Sequence, residues 1–186
     1  MIRRIFRLPG GSDLEDAEID VRIRRVETED GPQVRQVLTA AFDGEEEANL
    51  VASLTAENAI EFGLVAEAAG HHIGNIFFSR LTITGPDDPV RALALAPVAI
   101  HPDLQRLGIG SALINGGLAL AAQNKWDMVL VLGDPEFYHR FGFEVEAAKA
   151  VDCPYSGPAL AAWTYPGVIL PDNMIARYPD SFNSLN

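Results

Sequence analysis

Residues 91–113 run RALALAPVAIHPDLQRLGIGSAL. This stretch decides the fold because its pattern changes halfway along. Up to Ile100 it has the apolar run of a strand; from Ile109 the apolar residues take helical spacing, predicting a helix over 109–124. Pro97 interrupts the strand. Proline offers no N–H to a ladder, so the strand must lie at an edge, bulge, or part from its neighbour at that point. Val98, Ala99 and Ile100 then keep backbone groups free for an amide-bearing ligand.

Between strand and helix lies a loop with glycines at 108 and 110. Glycine permits positive φ and close approach of a ligand to the backbone. A helix starting there leaves its first amides unpaired and carries about half a positive charge at that end. The stretch Arg106, Leu107, Gly108, Ile109, Gly110 and Ser111 reads either as an anion cradle or as a plain turn. The side chains of Gln105 and Arg106 add donors, and a pyrophosphate has the charge to fit, each favourable contact contributing about 0.3–2 kcal/mol. A Rossmann fingerprint needs a small residue where Leu113 stands, and a P-loop needs a Gly-Lys-Ser/Thr run that is absent. A nucleotide-binding domain built on the same cradle is one alternative reading.

Working outward, Asp20 to Val26 alternates as a half-exposed strand. A helix opens at Thr28 or Glu29, presents Val34, Val37, Leu38, Ala41 and Phe42 on one face, and ends at Gly44. A second amphipathic helix covers 45–57, with glutamates in its first turn. Residues 63–70, 71–84 and 91–100 form a three-strand meander, with His71 and His72 placed in an exposed turn. After the 109–124 helix come a buried strand over 128–132 and a short helix from Pro135 to Phe141. Asp134 is its N-cap and Gly142 its stop. A strand beginning at Phe143 and another over 160–164 complete the order β, αα, βββ, α, β, α, ββ. That order predicts an α/β or α+β mixed sheet with helices on its faces. Residues 20–186 read as a single domain, preceded by a flexible acidic extension over 1–19.

Within the short helix, Phe137 and Phe141 are four apart and anchor it on the core. Tyr138 turns away from them, and a phenol facing the glycine loop can hold a leaving group by hydrogen bonding. Glycines 116 and 117 each cost the helix about 1 kcal/mol relative to alanine, which close packing on the sheet would explain. His139 and Cys153 carry no assigned role. The lone Cys153 forms no internal disulfide, and no Cys/His spacing marks a metal site. Acidic residues outnumber basic ones 26 to 14, for a net charge of -12, the opposite of a nucleic-acid-binding surface. No run reaches the roughly 18 apolar residues of a membrane helix, and the N-terminus has no signal-peptide core. The expectation is a cytoplasmic protein with no nucleic-acid or membrane partner.

The succession of strand, Q-x-x-G-x-G, helix, buried strand, short helix and Y-x-x-x-G-F resembles the GNAT superfamily of acetyl-CoA-dependent N-acetyltransferases. Here the residues are Gln105, Gly108 and Gly110, then Tyr138, Gly142 and Phe143. The resemblance implies a mostly antiparallel sheet with a splayed strand pair and helices on both faces. It implies that the amides of Arg106 through Ser111 hold the pyrophosphate of acetyl-CoA, that Val98 to Ile100 pair with the pantetheine arm, and that Tyr138 serves the departing thiolate. Many members carry an asparagine after the buried strand; Gly133 and Asp134 stand there instead. The implied reaction is direct transfer of acetyl to a small-molecule or peptide amine, without metal, in a chain that can pair as a homodimer. The candidate bases are Glu67, His101, Glu46, Glu47 or a water chain. The alternative function is a domain that holds acyl-CoA as a sensor or interaction module without turnover.

Overall fold

In the computed structural model, residues 2–5, 18–85 and 89–185 are described. They contain nine strands. β1 (Ile2–Ile5), β2 (Glu18–Arg25), β3 (Ile60–Ala68), β4 (His71–Thr84), β5 (Ala92–Ile100), β6 (Met128–Leu132) and β8 (Leu160–Thr164) follow one another across the sheet in the order β1-β2-β3-β4-β5-β6-β8. The pairs β1 to β5 are antiparallel, β5 and β6 are parallel, and β8 returns antiparallel to β6. The short strands β7 (Val151–Asp152) and β9 (Met174–Arg177) pair with each other, and β9 also pairs with the far end of β4. The expected mixed sheet with a mostly antiparallel core is what forms.

Helices cover both faces. On one lies α3 (Ile109–Gln123), whose Leu113, Ile114, Leu118 and Ala121 pack on Phe62, Leu64, Ile76 and Phe78. The helix rests close to the sheet at Gly117, where a Cβ would stand 2.3 Å from the Phe78 ring. On the other face lie α1 (Gly31–Phe42) and α2 (Glu46–Ala56). Val34, Val37 and Leu38 of α1 meet Val65, Phe77 and Ala99, while Leu50 and Leu54 of α2 meet Ala92, Ala94 and Leu130.

Three local expectations are corrected. The helix α1 ends at Phe42, two residues before the expected glycine, because Asp43 itself takes the left-handed conformation (φ 54°), which short polar residues tolerate. Phe143 does not open a strand: Glu144 makes a single bridge to Ala162, and the helix-favouring run Val145–Ala148 forms a short helix, α5. The turn between β3 and β4 is closed by Ala69 and Gly70, both at positive φ, so His71 and His72 belong to the strand and His72 is buried. The expected extension over 1–19 contains β1 at residues 2–5, which pairs with the start of β2; residues 6–17 lie outside the described residues.

Candidate active site

The site begins where β5 and β6 part. β5 pairs with β6 only through Ala92, Leu93 and Ala94, while on its other side it stays with β4 as far as Ile100. At Pro97 the ladder with β4 slips by one residue, so that Phe77 stands opposite both Ala96 and Pro97; the Ala96–Pro97 peptide is cis. An extra residue inverts the facing of all that follow. Leu93 and Leu95 face α3 before the bulge, and Val98 and Ile100 face it after. Val98, Ala99 and Ile100 therefore keep one backbone edge paired to β4 and leave the edge towards β6 open.

The chain then enters the glycine loop. His101 donates its N–H to the Ile73 carbonyl (2.9 Å), and Gln105 Nε2 donates to the Ile100 carbonyl (3.2 Å), which ties the loop to the end of β5. Gln105 thus spends a side-chain donor on the fold. Arg106 (φ 62°) and Gly108 (φ 83°) are left-handed, and Ile109, buried in the core, pins the start of α3. After Gln105, whose amide donates to the Pro102 carbonyl at 3.3 Å, the next amide to reach a backbone carbonyl is that of Ala112, which donates to Gly108 at 3.0 Å; those of Arg106 to Ser111 donate to no backbone carbonyl. At Gly110 a Cβ would meet only the Ile100 side chain, at an ordinary 3.6 Å from Cγ1 and 3.9 Å from Cδ1. Packing within the protein does not require a glycine there. An occupant of the loop would, and six undirected amides at a helix N-terminus suit an anion.

Beyond β6, the Asp134 side chain accepts from the Glu136 amide (3.0 Å) and caps α4 (Pro135–His139). This helix presents Tyr138 to the opening between the strands. Its ring lies edge-on to Phe137 (5.0 Å between centroids) and Phe143 (5.6 Å) and covers Gly133, where a Cβ would stand 2.6 Å from Tyr138 Cε2. Burial raises the phenol pKa above its ordinary value, so the group is a protonated donor at neutral pH. Its O–H has no protein partner among the described residues.

Tyr138, Pro97 and Val98 line one cleft of about 530 Å³ that continues between α2 and the C-terminal part of the chain. Glu46 and Glu47, at the start of α2, line it as well. So do Tyr155, Tyr178 and Phe182, which sequence reasoning missed. These three carry no motif. Only the aromatic content of the last 35 or so residues hinted at them, and their gathering depends on β9 pairing with β4.

The other candidates lie elsewhere. Glu67 accepts from Arg24 Nη2 at 2.6 Å, and Arg24 also makes a two-pronged pair with Asp30 (2.6 and 2.8 Å). His72 Nε2 lies 3.4 Å from a carboxylate oxygen of each acid. This cluster joins β2, β3, β4 and the approach to α1, and its hydrogen bonds to Arg24 hold the carboxyls of Asp30 (about 2) and Glu67 below their usual range. Glu67 is thus a structural anion. His101 sits at the end of β5, 3.8 Å from Asp103, and His139 is exposed beside Glu144. Cys153 is a free, half-buried thiol. Among the described residues no group of three or more His, Cys, Asp or Glu is placed to hold a metal, and no helix is long and apolar enough to cross a membrane.

Comparison with known proteins agrees with this geometry. In Escherichia coli strain K12, the protein named uncharacterized N-acetyltransferase YjhQ is 36% identical over 132 residues, 69% of this chain and 73% of that one. The E. coli crystal structure of the GNAT family N-acetyltransferase YhbS in complex with CoA superposes with a TM-score of 0.79 at 27% identity, covering 92% of this chain and 96% of that one. A GNAT family acetyltransferase from Brucella melitensis, in complex with acetyl-CoA, gives a TM-score of 0.73 at 30% identity over 88% and 98% of the two chains. Residues 22–146 match the family described as the acetyltransferase (GNAT) domain. With that match extending from β2 through the glycine loop, Tyr138 and Phe143, the chain belongs to the GNAT acetyltransferase family.

Proposed function

We propose that this N-acetyltransferase moves the acetyl group of acetyl-CoA to a primary amine by direct attack in a ternary complex. The observation that carries the reading is the parting of β5 from β6: it opens one edge of Val98 to Ile100 in line with the loop amides of Arg106 to Ser111. An extended pantetheine arm, with its two amides, suits that edge as an added strand does. The pyrophosphate suits the loop, where Gln105 and Arg106 flank it. The relatives whose structures hold CoA and acetyl-CoA support the same donor.

In the reaction, the amine lone pair attacks the thioester carbonyl carbon; an N–C bond forms, the C–S bond breaks, and the thiolate leaves with the electron pair. Tyr138 hydrogen-bonds that sulfur. Full proton transfer from a phenol near 10 to a thiolate near 8.5 is uphill by about 2 kcal/mol, and burial makes the phenol a still weaker acid, so donation of a hydrogen bond is its role. An alkylammonium near pKa 10.4 costs about 4.6 kcal/mol to deprotonate at pH 7, so the amine proton needs an acceptor. Of the four side chains considered as bases, Glu46 and Glu47 are the two that line the cleft with Tyr138.

Thiol release from acetyl-CoA with a panel of amines tests the proposal, together with thermal shifts in acetyl-CoA, CoA and ATP. Stabilisation by acetyl-CoA at 100 times its Kd amounts to about 2.7 kcal/mol. Stabilisation without thiol release would identify a module that holds the coenzyme without turnover, and a response to ATP alone would identify a nucleotide site. Tyr138→Phe is expected to lower turnover by about 10- to 1,000-fold while acetyl-CoA still binds. A homodimer and a reducing, cytoplasmic setting, suggested by the free Cys153, complete the proposal; sedimentation of the purified chain tests the first.

A further inference from the structure

The cleft beyond Tyr138 has a chemistry that narrows the acceptor. Its only charged side chains among the described residues are the carboxylates of Glu46 and Glu47; no lysine, arginine or histidine lines it. Neither glutamate is paired with a cation, whereas their neighbour Glu45 is held by Arg35 at 2.9 Å. The same cleft has an aromatic wall. Tyr178 lies edge-on to Tyr155 (4.8 Å between centroids) and to Phe182 (5.2 Å), and Tyr155 Oη donates to the Phe182 carbonyl at 3.2 Å, which fixes the wall's shape. Of the four large apolar side chains left exposed among the described residues, two, Phe42 and Leu132, also line this cleft.

Resting on the transferase reading above, we propose that the acceptor is an amine on an aromatic or apolar body with no carboxylate beside the nitrogen: an arylalkylamine and not an amino acid. Its ammonium is drawn in by Glu46 and Glu47, in a protein of net charge -12 whose long-range field favours cations. Its body covers Phe42 and Leu132 and packs on the aromatic wall. An α-carboxylate would enter a cleft that offers it no cation and two like charges, so the same site that attracts the amine rejects the amino acid.

The test uses the full chain loaded with CoA, so that recognition is read without turnover. Calorimetry compares 2-phenylethylamine with L-phenylalanine, which differ by the carboxylate alone, on the natural chain and on the double variant Glu46→Gln, Glu47→Gln. The amine is expected to bind at least about 10-fold more tightly than the amino acid, and the double variant to lose about 10-fold for the amine, the scale of one lost charge contact. Equal or tighter binding of phenylalanine, an unchanged affinity in the double variant, or no binding of either compound overturns the inference. Thiol release with the same two compounds separates it from the reading it rests on. Selective amine binding without thiol release would leave the recognition standing and remove the transfer; acetylation of both compounds at equal rates would do the reverse.

Discussion

The ring of Tyr138 lies against the backbone of Gly133, so close that a Cβ on residue 133 would stand 2.6 Å from its Cε2 and 3.3 Å from its Cδ2. The glycine between β6 and α4 is therefore what lets the phenol reach the cleft. Gly133→Ala must push the ring aside. Turnover is expected to fall on the order of 10- to 100-fold with acetyl-CoA affinity unchanged, because a displacement of about 1 Å suffices to misplace a reacting group. Steady-state thiol release and coenzyme titration on the same sample check the split.

Gly110→Ala separates folding from binding. A Cβ there has room beside Ile100 and sits in the first turn of α3, so thermal stability is expected to hold or rise by up to about 1 kcal/mol. The same methyl group narrows the loop from which the amides of Arg106 to Ser111 point. Acetyl-CoA affinity is expected to drop by about 10-fold or more, against the direction of the stability change.

At Gly117 the sign reverses. Alanine is the better helix former, but its Cβ would meet the Phe78 ring at 2.3 Å in a core where both Phe78 and Leu113 are fully buried. Gly117→Ala is expected to destabilise by about 1–3 kcal/mol in urea unfolding, the range for overpacking.

The cluster of Arg24, Asp30, Glu67 and His72 links stability to pH. Asp30 is depressed from 3.8 to about 2, and Glu67 is lowered as well, in both cases chiefly by hydrogen bonds from Arg24. A depressed carboxyl stabilises the folded chain above its unfolded pKa, and this contribution is lost as pH falls through the folded value. For Asp30 it is on the order of 2 kcal/mol, present in full above about pH 5 and declining towards pH 2. Unfolding midpoints between pH 6 and pH 2.5 measure it, and Asp30→Asn is expected to lower the neutral-pH midpoint and flatten the slope.

How much of this was legible in the sequence follows from the range of the interactions. The strand Met128–Leu132 was legible to the residue and that around Leu160–Thr164 approximately, because each is a short apolar run too brief for a core helix and flanked by glycine or proline. The loop over 106–111 and the break at Pro97 were legible because backbone chemistry is local: a missing donor and a run of unpaired amides follow from residue type. Gly133 was visible only as a departure from the family pattern, and its reason, the ring of Tyr138, needed the fold. His72 was misplaced because a two-residue turn at Ala69 and Gly70 shifts it into the strand, opposite Glu67. The aromatic wall was the least legible part. Tyr155, Tyr178 and Phe182 come together through the pairing of β9 with β7 and with β4, the latter joining segments about 90 residues apart, and short strands of that kind carry little periodicity.

The central claim is that acetyl-CoA lies along the open edge of β5 with its phosphates on the loop before α3. Mapping backbone amide shifts while CoA is titrated into the labelled protein tests this most directly. The expected result is saturable change concentrated at Val98 to Ile100 and at Arg106 to Ser111, with no comparable change on adding ATP. Saturation with these amides unmoved, or with the shifts gathered on another face of the sheet, would contradict it.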